Sequence, residues 1–387
     1  MYTFVTDKLH IKAFTFLRTH LLPFIIFISL LFFACNNIDV KQRPHHHHKN
    51  IINTQPAAVA PRDSFCIAAV GDIMLGTSYP DNKTLPFDSA KNSFKNVAAD
   101  LQDADVTFGN LEGTLLDDGA PAHYKLHQLQ RPYLFRMPQA YGKILKDAGF
   151  NVLSLANNHI SDFSDTGRIN TMEVLDSVRI NYGGQVQHPS AIFKVNGVTY
   201  GFCAFAPNSN TLSILDLKNA ALVIHNLKQQ CDVVLVSFHG GGEGTGYEHV
   251  PFNNESFINE KRGDVHAFAH AAIDAGADLV LGNGPHVCRA MELYKNRLIA
   301  YSLGNFCTYK SVSVAGICGL APLLKVYINK NGEFLSAHIL SNIQTHYGGL
   351  ERDSLNKAAA RIKALTETDF PQSGLSISKD GLMAKIR

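Results

Sequence analysis

Five apolar runs in this chain end abruptly in side chains that can hold a cation or move a proton. The first closes on Asp72, the second on Asn110 and Glu112, and the third on Asn157, Asn158 and His159. The fourth ends at His239, with Glu243 four residues on, and the fifth at Asn283 and His286. Carboxylate, amide and imidazole donors suit hard or borderline divalent cations such as manganese, iron or zinc. One or two such ions, held by Asp72, Glu112, Asn158, His239 and His286, would lower the pKa of a bound water and clamp a phosphate. His159, beside Asn157 in the same cluster, would stay off the metal and protonate the leaving oxygen. Singly, each ending has a plainer reading: Asp72 could cap the next segment, and His286 could be an ordinary loop histidine. Their joint occurrence points to a metal site assembled from across the chain.

The elements that must position these groups are strands, because ligand groups at strand ends gather along one edge of a sheet. From Phe65 onward, short apolar strands alternate with helical stretches, for example 92–102, 138–148, 165–178, 215–228 and 264–275. Asn196-Gly197, Lys295-Asn296 and Asn331-Gly332 mark hairpins, which gather towards the end. This pattern predicts a single mixed α/β sandwich flanked by helices over residues 63–348, followed at 349–387 by a C-terminal helix and a polar, loosely held tail. His266 and His270, four apart on the helix expected over 264–275, share a face. Their alanine-rich surroundings favour helix packing there over metal binding.

The 387 residues carry 35 basic and 33 acidic side chains, and no basic run is interleaved with aromatics, which argues against a nucleic-acid surface. Residues 1–35 have the form of an export signal: Lys8, Lys12 and Arg18 precede an apolar stretch, and Ala34-Cys35 follows. The site resembles a bacterial lipobox with Cys35 as the lipidated residue, and an uncleaved anchor is the alternative. Either reading puts the globular part outside the cytoplasm, in the cell envelope, tethered to a membrane. Residues 36–62, with three prolines and His45 to His48, read as a flexible linker. Six further cysteines form no Cys-x-x-Cys pair, so buried thiols and disulfides both remain open.

Six motifs occur together in order: Gly71-Asp72 through Gly76, Asn110-Leu111-Glu112, Ser154 through His159, His239 with Glu243, Gly282 through Val287, and Tyr301 through Phe306. In this order they resemble the CapA family of bacterial capsule and poly-γ-glutamate synthesis proteins, whose domain is similar to the calcineurin-like metallophosphoesterases. The resemblance covers roughly residues 65–340. It implies a metallophosphoesterase-like fold, with Asp72, Glu112, Asn158, His239 and His286 at metal positions and His159 as the general acid. Asn110, Glu243, Asn283 and Asn305 would bind substrate or support the site. An anionic surface polymer or phosphorylated intermediate, and subunits of a membrane synthase, are the implied partners. Two departures stand out: Asn283 occupies a position where the family usually has histidine, and Met74 stands where two-metal esterases carry one. These leave room for a non-catalytic polymer-binding or scaffold subunit.

Overall fold

A computed structural model describes residues 64–126, 133–345 and 349–386. The signal, Cys35 and the linker with His45 to His48 lie outside these residues. Two sheets form the frame. The first has ten strands, centred on Phe65–Met74 and Val106–Leu111, which run parallel to each other and to Val152–Ser154 and Asn181–Gly183. On its other side Phe65–Met74 pairs antiparallel with Leu320–Ile328, which pairs with Phe334–Thr345. The second sheet has six strands, with Leu279–Asn283, Val233–His239 and Val198–Phe205 parallel at its centre and a hairpin strand at each edge.

The sheets are buried on both faces, which is why their strands read as near-continuous apolar runs. Ile67 and Ala69 join Val233, Leu235, Leu279 and Leu281 in the core between the sheets. Their neighbours Ala68 and Val70 point the other way, packing with Leu145 and Leu175 of the helices Tyr141–Ala148 and Ser164–Ser177. Val234, Val236 and Phe238 pack outward against Ile224 and Phe268 of Leu217–Lys228 and Val265–Asp274. Asp216 and Asp264 cap these last two helices by accepting from the N–H groups of Asn219 and Ala267. The result is a helix–sheet–sheet–helix sandwich, the mixed α/β class expected from the sequence.

One irregularity shapes the functional edge. Phe65–Met74 shifts register between Ala69 and Asp72, and beyond that point the strand Asn305–Thr308 slots in parallel beside it. Gly71 permits this, because a Cβ there would lie 1.9 Å from the Gly304 carbonyl oxygen. The Asp72 N–H then donates to that same carbonyl at 2.9 Å.

Two expectations change. Of the stretch 92–102 only Ala98–Gln102 is helical; the chain before it runs in turns, with Ser89 and Ala90 at positive φ. The C-terminal segment is not a loose tail: Gly349–Arg352 pairs with Phe334–Thr345, and Leu375–Ile377 and Leu382–Lys385 extend the first sheet. The helix Lys357–Asp369 places Ala358, Ala359 and Ile362 in the inter-sheet core. No described helix is long and apolar enough to cross a membrane. The six described cysteines are free thiols, and burial pushes Cys288 and Cys307 up to about 12.

Candidate metal centre

The ends of both sheets' central strands meet at one place. Asp72, Asn110, Glu112, His239, Asn283 and Asn305 are all fully buried there. Asn110 is its hub: Nδ2 donates to Asp72 Oδ1 at 2.8 Å and lies 3.3 Å from His239 Nδ1. Its Oδ1 accepts from Asn157 Nδ2 at 3.2 Å, and the same Asn157 nitrogen donates to the Leu111 carbonyl at 2.8 Å. Asn157 Oδ1 in turn accepts from the N–H of His159. Both ends of the Asn157 amide are therefore engaged in holding the two strand ends and the His159 loop in place.

His286 arrives from the second sheet on a loop whose backbone is in the left-handed region at both Gly284 and His286 (φ 117° and 58°). Its Nδ1 lies 3.0 Å from Asp72 Oδ2 and 3.0 Å from Asn305 Oδ1. Its Nε2 lies 3.5 Å from Glu112 Oε1 and 3.9 Å from Glu243 Oε2. Asp72, Glu112 and His286 offer ligand atoms all within 4.8 Å of one another. Asn305 supports the loop, donating to the His286 carbonyl at 3.2 Å. Asn283 pairs in register with His239 and donates weakly to Ser237 Oγ at 3.3 Å.

Several atoms here lack any hydrogen-bond partner: both Glu112 oxygens, His239 Nε2, Asn283 Oδ1 and Asn158 Oδ1; Asp72 Oδ2 faces only the His286 ring. Each such buried polar atom costs roughly 1–3 kcal/mol. Burial pushes Glu112 up to about 8, with Asp72 and Glu243 adding to the rise and His286 opposing it. Burial works against the charged form of His286, but Glu112, Asp72 and Glu243 outweigh it and raise its pKa well above normal. Burial, with Arg262, His286 and His159 nearby, holds His239 well below its usual value, neutral with a free ring nitrogen. Acceptor atoms left over from the fold, and protons crowded onto carboxylate and imidazole, are what a divalent cation would relieve. The donor set fits such an ion.

His159 sits beside this cluster, with Nε2 4.0 Å from Glu112 Oε1. Its Nδ1 lies 2.8 Å from Asp162 Oδ2, and the Phe135 ring stacks on it with centroids 4.0 Å apart. Asp162 is fixed in turn by the Phe135 N–H and by Lys125 at 3.0 Å. Asn158 departs from the others: its backbone carbonyl accepts from Lys125 at 2.6 Å, the residue lines the cleft above the cluster, and its buried Oδ1 has no hydrogen-bond partner. Asp162, Lys125 and Arg262 were missed in the sequence. The spacing of Asp162 three residues after His159 was the only available signal. Arg262, almost fully buried, pairs with Glu243 at 2.8 Å and keeps Nη2 unpartnered.

Above the cluster opens a cleft of about 610 Å³. His159, His286, Glu243 and Arg262 line its floor side, and Tyr133, Phe135, Phe257, Ile258 and Val312 give it apolar walls. The helix-flanked α/β sandwich thus carries a carboxylate–imidazole cluster at its strand ends whose donor set would suit a divalent cation. The profile of the family described as "Bacterial capsule synthesis protein PGA_cap" matches residues 66–310, and the chain belongs to that family. Capsule biosynthesis protein CapA of Bacillus anthracis is 29% identical over 275 residues, covering 64% of this chain and 62% of that one. PGA biosynthesis protein CapA of Bacillus subtilis (strain 168) is 31% identical over 260 residues, covering 63% of each. The chain thus spans less than two thirds of the length of these relatives. Among solved structures, a 5'-nucleotidase precursor from Thermus thermophilus aligns with 14% identity and a TM-score of 0.40, over 79% of this chain and 59% of that one.

Proposed function

We propose that the protein acts outside the cytoplasm, tethered through its N-terminus, in capsule, poly-γ-glutamate or related surface-polymer production, as a metal-dependent phosphoester hydrolase. The observation that carries the reading is the set of buried, partnerless ligand atoms on Glu112 and His239 beside Asp72, His286 and a poised His159. Asp72, Glu112 and His286 would hold one divalent ion, with His239 and Asn158 available to a second; manganese, iron and zinc are the candidates. Such an ion supplies a water of lowered pKa and a clamp on phosphoryl oxygens. His159 would deliver a proton from Nε2 to the leaving oxygen, held in that orientation by Asp162 at Nδ1 and by the stacked Phe135 ring. Arg262, on the floor side of the cleft, would attract the anionic substrate, a phosphorylated intermediate or the polymer itself, through its charge. Membrane synthase subunits are the expected partners.

The test pairs elemental analysis with a phosphoester screen. Asp72→Ala should lose bound metal, whereas His159→Ala should keep it and hydrolyse about 10²–10⁴-fold more slowly. Hydrolysis at the parent rate in both variants would sink the mechanism. A second reading, a polymer-binding or scaffold subunit, is favoured by Asn283, an amide whose Oδ1 is unpartnered at a strand end where an imidazole would complete a second ion's shell. It expects polymer binding without turnover.

A further inference from the structure

The helix Val265–Asp274 carries His266 and His270 one turn apart, on the outer side of the second sheet. The adjacent strand Met291–Tyr294 brings Glu292 against them, and one ligand atom from each of the three lies within 4.8 Å of the others. Nothing in the strand-end cluster is shared with this group. We propose that His266, His270 and Glu292 form a separate divalent-cation site of the zinc class, pinning the helix to the hairpin.

The donor set is two imidazoles and a carboxylate, with room for water as a fourth ligand, which is the composition zinc takes readily. His270 Nε2 lies 2.9 and 3.1 Å from the two Glu292 oxygens, so the cation takes the place of a proton shared between them. The outer contacts are in position. Tyr301 Oη donates to Glu292 Oε2 at 2.7 Å and fixes the carboxylate. Tyr294 stacks on the His270 ring at 3.7 Å, while the stacked pair Tyr301 and Phe370 lies 6.3 and 6.0 Å from the His266 ring. His270 keeps about a quarter of its side-chain surface exposed, an entry path for the ion. Burial and the neighbouring His270 lower the His266 pKa, which leaves that ring neutral and able to ligate. The rings do pack, as their alanine-rich setting suggested; Glu292, twenty-two residues beyond His270, is what makes the pair a site.

The proposal is independent of any phosphoester activity. It is tested by zinc titration of the full chain, with His45 to His48 each changed to Asn, against a chromogenic chelator. In a variant also carrying Asp72→Asn, Glu112→Gln and His286→Asn, one zinc equivalent should remain. Adding His266→Asn should abolish it, and Glu292→Gln should weaken it at least tenfold, with circular dichroism unchanged. Zinc should also raise the melting temperature of the first variant but not of the second. No retained equivalent, or retention undiminished by both changes, overturns the site. Should the multiple variant fail to fold, the parent with the linker histidines removed decides: His266→Asn must lose one equivalent of its total.

Discussion

Glu112 and Glu255 are both buried glutamates, and they are treated in opposite ways. Glu255 is saturated: Arg289 grips it with two nitrogens at 2.6 and 2.9 Å, and the Gly242 N–H donates to it at 2.9 Å. Arg289 is itself finished by the Tyr247 carbonyl at 2.7 Å. Glu112 is equally inaccessible, yet neither of its oxygens has a hydrogen-bond partner. Buried charges are ordinarily paired, so a carboxylate left open in an otherwise satisfied interior marks a place that the fold alone does not complete. The pair around Glu255 holds the loop after His239; the Glu112 oxygens make no hydrogen bond and face the His286 ring at 3.5 Å.

That contrast can be broken or sharpened by experiment. The largest effect should follow from Arg289→Met, which strands Glu255 as an uncompensated buried charge and should cost about 3–5 kcal/mol in urea unfolding. A loss below about 1 kcal/mol would mean that the two glutamates are alike after all. A smaller effect is expected from pH. Glu112 and His286 both have folded pKa values above their unfolded ones, so the metal-free fold holds extra protons and loses stability as pH rises through them. His239, depressed, acts the other way, but only below its unfolded pKa near 6.5. Between pH 7 and 9 the metal-free protein should therefore soften by about 1 kcal/mol or more, a slope of at most roughly 1.4 kcal/mol per pH unit for each group. Saturating metal should remove the slope; a flat metal-free profile would count against the crowded protons. The smallest change is expected of Glu112→Gln, which removes the charge but not the shape. Metal-free stability should stay within about 1 kcal/mol of the parent or exceed it, while metal uptake falls.

The sandwich was legible because its strands are buried on both faces and read as apolar runs, and because turn pairs such as Asn196-Gly197 dictate hairpins, Asn196 and Gly197 both taking positive φ. The polar groups that gather at the strand ends were legible for the same reason: a polar group directly after an apolar run stands out. What stayed hidden depends on contacts distant in sequence. Asp162 is recognisable only once His159 is seen to face it, and Arg289 only beside Glu255, thirty-four residues away. The helix expected over 92–102 fails because left-handed Ser89 and Ala90 start a run of turns, which no propensity announces. The segment after Tyr347 looks polar because its strands sit near the edge of the sheet, with only alternate side chains turned inward.

The seam at Gly71 and Gly304 has a temporal meaning. Asp72 stands near the beginning of the domain, but the carbonyl that fixes its backbone, and the strand beside it, belong to residues 304–308. Long-range pairings of this kind form late, after most of the chain is available. A cation held, as proposed, by Asp72, Glu112 and His286 would therefore be acquired only when synthesis has run past Thr308, and from whatever ion supply surrounds the chain where its folding finishes.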